Sequence, residues 1–242
     1  PSDYMISVGH MPSDAETEPV IKDVQAIIQK TADATHLSDY QVAQTTYWSA
    51  EIRKIDGKVL EVNDQFTPET DQELKTEGTV YFFDQATYEQ LTGQKVELGE
   101  NEILAYGYQY PGRLDAQLEI NGKTFTIKEK LDSNFIQGKI PQDALFQHQM
   151  GLYLVLPDLS QLGLKMDKNL EFSITAKDKE NSAFLAGVIK ELHSTDKMSQ
   201  YGATYFSGYD RYSIEKDWRE SAGTILFIGV FLSVIFLLAT VL

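Results

Sequence analysis

The last twenty residues of the chain, 223–242, carry no charge, whereas every charged residue lies within residues 1–222. Fourteen of the twenty are Leu, Ile, Val or Phe, so insertion into lipid would be favourable by about 4–8 kcal/mol. As a helix the segment would be about 30 Å long, which matches the hydrocarbon core of a bilayer. A helix buried in a soluble core is the alternative, but such helices normally keep a polar edge. We therefore predict a transmembrane helix over residues 223–242.

The flank of this segment predicts on which side of the membrane the rest of the chain lies. Between residues 210 and 220, four acidic residues outnumber three basic ones. Cytoplasmic flanks are normally rich in Lys and Arg, so we expect residues 1–222 to form an extracellular domain of a cell-membrane protein. Because the chain starts at Pro1 and stops inside the apolar segment, we interpret it as a truncated fragment of a larger membrane protein.

Aromatic side chains precede the apolar segment. Tyr and Trp combine an apolar body with a polar tip, which suits the boundary between membrane and water. We therefore predict a membrane interface here, with an ordinary aromatic-rich surface as the alternative. The predicted interface residues are Tyr209, Tyr212, Trp218 and Arg219, and Tyr201 and Tyr205 are expected to approach the same boundary.

Charge and cysteine content exclude several classes of function. The formal charge of −15 argues against a nucleic-acid partner, because phosphate contacts need a basic surface. The same charge would attract cationic peptides over a distance of about 8 Å at physiological salt. With no cysteine in the chain, disulfides, thiolate zinc sites and cysteine nucleophiles are excluded.

Strand and helix patterns alternate along residues 1–200, which predicts an α+β fold of mixed sheets with packed helices. We expect two lobes with a boundary near residue 78, followed by the transmembrane helix. Strands are predicted at 4–8, 79–83, 102–106, 152–156 and 170–175, and helices at 20–28, 85–91 and 182–192.

Turn and capping residues predict two hairpins and both ends of one helix. Asn121-Gly122 predicts a two-residue turn that places Leu118, Ile120, Phe125 and Ile127 on one face, and Asp56-Gly57 predicts a second hairpin. Asp84 is a typical N-cap for the helix at 85–91, which Gly93 can end in a left-handed conformation.

No catalytic or metal-binding motif is found in the chain. The four histidines are far apart in sequence, and there is no glycine-rich phosphate loop and no Gly-x-Ser-x-Gly element. We therefore expect a protein that is not an enzyme and that binds neither a metal nor a cofactor.

One local pattern is a candidate binding surface. Tyr106, Tyr108 and Tyr110 alternate along a segment that would be extended, and Arg113 follows them; Tyr and Arg are favoured contact residues. The alternative is that these rings simply cover the sheet.

Two segments carry a resemblance to a known family. Arg219 and Glu220 followed by SAGTILFIGVFLSVIFLLATVL resemble the point where an extracellular domain of FtsX-like ABC-transporter permeases re-enters the membrane. The run VYFFDQATYEQLTGQKVELGENEILAY, residues 80–106, is similar to the extracellular domain of the bacitracin-export (BceB-type) permeases of Gram-positive bacteria. Residues 1–79 match only in pattern.

The resemblance implies a permease with ten membrane spans, in which this domain lies between the seventh and the eighth. It implies that a separate cytoplasmic ATPase subunit binds ATP, and that a membrane histidine kinase is a further partner. The implied role is sensing of, and resistance to, bacitracin-like or lantibiotic-like cationic peptides or their complexes with lipid-linked precursors.

Two other functions stay open at this point. One is a mechanical coupling domain like that of FtsX, which would bind and activate an extracellular cell-wall hydrolase. The other is a membrane-anchored enzyme.

Overall fold

The computed structural model describes residues 2–62, 77–108, 113–133, 135–136, 150–194 and 196–241, excluding the side chains of Tyr108 and of residues 234–241. Within these residues the fold is α+β with a mixed sheet and packed helices, as the sequence predicts. It has ten strands in one sheet and five α-helices. The elements are β1 (Tyr4–Met11), α1 (Glu18–Ala34), β2 (Tyr40–Ile55), β3 (Val59–Val62), β4 (Gly78–Asp84), α2 (Gln85–Thr92), β5 (Glu102–Tyr108), β6 (Gln117–Ile120), β7 (Lys123–Lys130), β8 (Met150–Leu156), β9 (Asp167–Ala176), α3 (Ser182–Ser194), α4 (Lys197–Tyr201), β10 (Tyr205–Asp210) and α5 (Arg211–Val241).

One section of the sheet is a split βαβ arrangement. Its strands lie in the order β10-β1-β9-β2, and each neighbouring pair is antiparallel. Each half contributes two strands with helical structure between them: β1 and β2 flank α1, and β9 and β10 flank α3 and α4. The central strands of this section therefore come from opposite ends of the chain.

Helices α1 and α3 cover one face of this section because each has an apolar stripe. Pro19 lies in the first turn of α1, where its missing N–H costs no hydrogen bond. The shared core contains Tyr4, Ile6, Val24, Ile28, Phe172, Phe184 and Val188, among others.

The other section is a closed ring. The pairings run from β2 through β3, β6, β7, β5, β8 and β4 and return to β2. Seven strands therefore form a barrel, in which β2 is shared with the split βαβ section. The barrel interior is filled by apolar side chains from every strand, including Ile52, Leu60, Phe82, Ile103, Leu118, Phe125 and Leu154.

The predicted turn chemistry is confirmed within the barrel. Asn121 and Gly122 have φ of 45° and 87°, and Leu118 lies opposite Phe125 in the hairpin that they close. The Asp84 carboxylate accepts a hydrogen bond from Thr87 N at 2.7 Å, and Gly93 ends α2 with φ of 73°. Helix α2 and the residues after it cover a smaller aromatic cluster on the outside of β4, β5 and β8.

Helix α5 extends from the end of β10. Among the residues that the structure describes, no helix is both long and apolar enough to cross a membrane. The transmembrane helix at 223–242 and the division into residues 1–222 and 223–242 stay predictions. So does the lobe boundary near residue 78, a position at which β4 begins.

Candidate functional site

The junction between β10 and α5 is the candidate functional site, because it connects the sheet to an exposed apolar helix. Asp210 ends the strand, and its carboxylate accepts hydrogen bonds from Ser213 N at 3.2 Å and Ser213 Oγ at 2.8 Å. The bond from Ser213 N satisfies a backbone donor that the first turn of a helix leaves free. Arg211 also pairs with Glu215 one turn later, with Nε and Oε1 2.7 Å apart. The start of α5 is therefore stabilised by contacts among residues 210–215 themselves.

Three strands hold this junction in place. Arg211 N donates to Asp3 O at 3.0 Å, and Tyr4 lies opposite Asp210 in the pairing of β1 with β10. The Asp3 side chain is buried and accepts a hydrogen bond from Ala176 N, at the end of β9, at 3.0 Å. A displacement of α5 would therefore act directly on β10, β1 and β9.

Beyond its first turns, α5 exposes apolar side chains. Every large hydrophobic residue that is exposed in the described part of the chain belongs to this helix: Ile214, Trp218, Ile225, Leu226, Phe227, Ile228, Val230, Phe231 and Leu232. Ile225 and Leu226 are each 72% exposed. Two hydroxyls of this helix bond to its own backbone, from Thr224 Oγ1 to Glu220 O and from Ser233 Oγ to Gly229 O. Their hydrogen-bonding need is thus met without water.

The predicted membrane-interface residues lie along this junction. Tyr209 is in β10, while Tyr212, Trp218 and Arg219 are in the first turns of α5. Trp218 is 73% exposed, and Arg219 Nε donates to Glu215 O at 3.3 Å. Their role at a membrane stays a prediction.

Tyr201 and Tyr205 correct the expectation that they too approach the membrane boundary. Tyr201 is buried in the split βαβ core, where its hydroxyl donates to Asp23. The Tyr205 ring lies over Gly9, whose missing side chain makes room for it. It also contacts the His10 ring edge-on, with the ring centroids 5.1 Å apart. Proximity in sequence to the apolar segment misled the prediction, because Tyr201 ends α4 inside the core and Tyr205 packs onto β1 at the end of β10 that is far from α5.

The tyrosine pattern at 106–113 is only partly brought together by the structure. Tyr106 lies opposite Tyr153, which in turn lies opposite Tyr81, so three rings line up across β5, β8 and β4. The ring centroids are 5.8 Å and 5.0 Å apart. Tyr106 is half-buried against the outer aromatic cluster, which agrees with its covering the sheet.

The other three residues of that pattern are not part of this row of rings in the described residues. Tyr108 is in β5 opposite Gly151, Arg113 is exposed, and Tyr110 lies outside the described residues. A ligand-binding role for these four residues stays a prediction.

A cavity of about 580 Å³ lies at the far end of β10 from α5. It is lined by residues that include His10, Asp14, Lys165, Asp167 and Thr204. A bulge in β1 gives His10 a φ of 53° and brings its Nδ1 to 2.7 Å from Asp167 Oδ2. Sequence reasoning missed this pair, because the two residues are 157 positions apart.

Two titratable groups nearby are shifted by their contacts. Hydrogen bonds from Lys197 and then Tyr201 lower the pKa of Asp23. Burial, together with the bond to Asp23, raises the pKa of Tyr201. Lys197 Nζ lies 2.5 Å from Asp23 Oδ2, so the three side chains tie α4 to α1. In the described ranges, no three His, Asp or Glu side chains are grouped in a way that could hold a metal ion.

Comparisons with known proteins give little further information. No family model matches the chain, and no curated protein matches it. A solved structure, "Putative Lipoprotein from Bacillus anthracis", is similar over 84% of this chain and 96% of its own, with a TM-score of 0.35 and 9% sequence identity.

Proposed function

We propose that the chain is the extracellular ligand-sensing domain of an FtsX-like ABC-transporter permease of the bacitracin-export type. In this proposal residues 1–222 lie outside the cell and α5 enters the bilayer at 223–242. The domain senses cationic peptide antibiotics, bacitracin-like or lantibiotic-like, or their complexes with lipid-linked precursors. A cytoplasmic ATPase subunit and a membrane histidine kinase are the proposed protein partners.

The exposure of apolar side chains on α5 is the observation that carries this proposal. Soluble proteins rarely leave a contiguous apolar surface of this kind in water, so such a surface marks contact with a partner or with lipid. Trp218 precedes the apolar residues 225–232, and in this proposal it would lie among the lipid headgroups, where aromatic side chains are favoured. The internal hydrogen bonds of Thr224 and Ser233 fit the same environment.

The junction supports the sensing part of the proposal. The last residue of β10, Asp210, lies opposite Tyr4 of β1 and directly precedes the first residue of α5, Arg211, whose N–H donates to Asp3 O. A ligand that shifts this edge of the sheet therefore has a short covalent path to the helix. The net charge of −15 favours a cationic ligand.

Deletion of residues 1–200 from the complete permease tests the proposal. We expect resistance to the cognate peptide to be lost while the permease still reaches the membrane, as measured by immunoblotting of membrane fractions. Wild-type resistance in a strain whose truncated permease is present at the normal level would contradict a sensing role.

The mechanical coupling function is the second candidate, and the junction favours it equally. Here α5 would transmit the motion of the ATPase outwards to β10 and so to a bound cell-wall hydrolase. A pull-down from cell-wall extract separates the two functions. A retained hydrolase supports coupling, whereas a retained peptide or lipid precursor supports sensing.

A further inference from the structure

Strand β10 forms the end of the sheet. It pairs with β1 on one side, and within the described residues no strand pairs with its other side. Edge strands usually carry Lys, Pro or a bulge that prevents further pairing. The sequence of β10, YFSGYD, has neither Lys nor Pro, and its register with β1 is regular from Tyr205 to Asp210.

The hydrogen-bonding phase of β10 identifies its outward groups. Arg211 N donates to Asp3 O, and bonding positions alternate along an antiparallel pair. Tyr209 and Ser207 therefore share the inward phase of Arg211. The backbone N–H and C=O groups of Phe206 and Gly208, and the N–H of Asp210, consequently point away from β1, toward the open edge.

We propose that an extended segment of a cationic peptide adds to this edge as a further β-strand. This inference rests on the proposed sensing function and deepens it, because it assigns where and how the ligand binds. Backbone hydrogen bonds at 206, 208 and 210 would supply the affinity. The acidity of the chain, with Asp210 at the end of the edge, favours a basic strand over an acidic one.

A second copy of this chain fits the edge poorly. The outward groups occupy the same positions in both copies, so two β10 edges could pair symmetrically only as antiparallel strands. That pairing would place the starts of the two α5 helices at opposite ends of the paired strands, which restricts how both could reach one membrane. An added peptide strand has no such restriction.

The position of the added strand, next to the start of α5, has a consequence for signalling. Pairing at Gly208 and Asp210 would end at the residue whose carboxylate caps α5. A bound strand would stiffen β10 immediately before the helix, and it would do so without any rearrangement of the barrel. Ligand binding would thereby bias the direction in which α5 leaves the sheet.

Hydrogen exchange on the full chain in detergent tests this inference, with a short synthetic peptide of alternating Lys and Val as the probe. We expect the probe to slow exchange at the amides of Phe206 and Gly208, and a Glu-for-Lys peptide to have no effect. Binding that protects other amides but not these two would overturn the inference and leave the sensing function standing. Absence of binding at low salt would also overturn it, whereas the sensing function is judged separately by the deletion strain.

A pair of variants at one position isolates the backbone donor. A Cβ atom at Gly208 would come within 2.9 Å of Leu185 Cδ1, so Gly208→Ala and Gly208→Pro share a contact with α3. Only Gly208→Pro also removes the outward N–H. We expect probe binding by Gly208→Pro to be weaker than by Gly208→Ala by about tenfold or more. Equal affinities in the two folded variants would overturn the inference, and if Gly208→Pro does not fold, the exchange pattern of the wild-type protein decides.

Discussion

Tyr201 donates a hydrogen bond of 2.6 Å to the carboxylate of Asp23, 178 residues earlier in the chain. This bond joins α4 to α1 and so helps to close the split βαβ core. Because its acceptor is charged and only partly exposed, we expect Tyr201→Phe to lower the free energy of unfolding by about 1–2 kcal/mol. Urea unfolding measures the change. Tyr212→Phe, which alters a half-buried tyrosine of α5, is the matched control, and an equal loss in both variants would contradict this role for the bond.

The same carboxylate predicts a dependence of stability on pH. The pKa of Asp23 is lowered from its ordinary value of 3.8, first by the hydrogen bond from Lys197 and then by that from Tyr201. Its contribution to stability is therefore present above pH 3.8 and is lost as the pH falls through the lower folded-state pKa. We expect the stability difference between the wild-type protein and Asp23→Asn to shrink over that acidic range. A difference that stays constant with pH would contradict the assignment.

The barrel depends on large side chains in its interior. Phe125 is fully buried there, so Phe125→Ala should lower the free energy of unfolding by about 3–5 kcal/mol through lost burial and a residual cavity. Thr124→Ala, on the exposed face of the same strand, should change it by less than about 0.5 kcal/mol. Chemical denaturation compares the two variants. A small effect of Phe125→Ala would mean that the barrel interior can collapse around the lost ring.

The cap of α2 gives a smaller and more local effect. Asp84→Ala removes the acceptor for Thr87 N and should cost about 0.5–2 kcal/mol. Asp84→Asn keeps an oxygen at that position and should lose much less. Thermal unfolding followed by circular dichroism measures both, and the cap assignment fails if the Asn variant is as unstable as the Ala variant.

Trp218 reports on the proposed contact of α5 with lipid. It is 73% exposed, whereas Trp48, the other tryptophan, is half-buried beside the barrel core. In a Trp48→Phe background we expect phospholipid vesicles to shift Trp218 fluorescence to shorter wavelength and to reduce its quenching by acrylamide. The double variant Trp48→Phe/Trp218→Phe controls for scattering by the vesicles. Unchanged emission would argue against membrane entry at this position.

Local signals in the sequence predict the elements whose hydrogen bonds are local. Asn121-Gly122 determines a turn, and Asp84 with Gly93 marks both ends of α2, so the structure reproduces these predictions almost residue by residue. The first half of β2 was not predicted, because its polar sequence lacks a clear alternation and its stability comes from pairing with β9. Closure of the barrel depends on the pairing of β2 with β4, to which no short motif corresponds.

The candidate site likewise has one part that the sequence predicts and one part that it does not. The apolar half of α5 is evident from composition alone, but β10 was missed because its aromatic residues suggest a membrane interface. Its true constraint is pairing with β1, about two hundred residues away in sequence. A usable signal was present in Asp210 followed by Ser213, a spacing that suits the start of a helix.

The position of β1 has a consequence for how the chain matures as it is synthesised. Its neighbours β9 and β10 come from residues 167–210, so β1 is synthesised well before the strands that enclose it. The intervening strands can meanwhile close upon one another, since their pairings lie within residues 48–156. We expect β1 and α1 to expose apolar surface to chaperones until residues 167–210 have been synthesised. Misfolding is most probable at this stage.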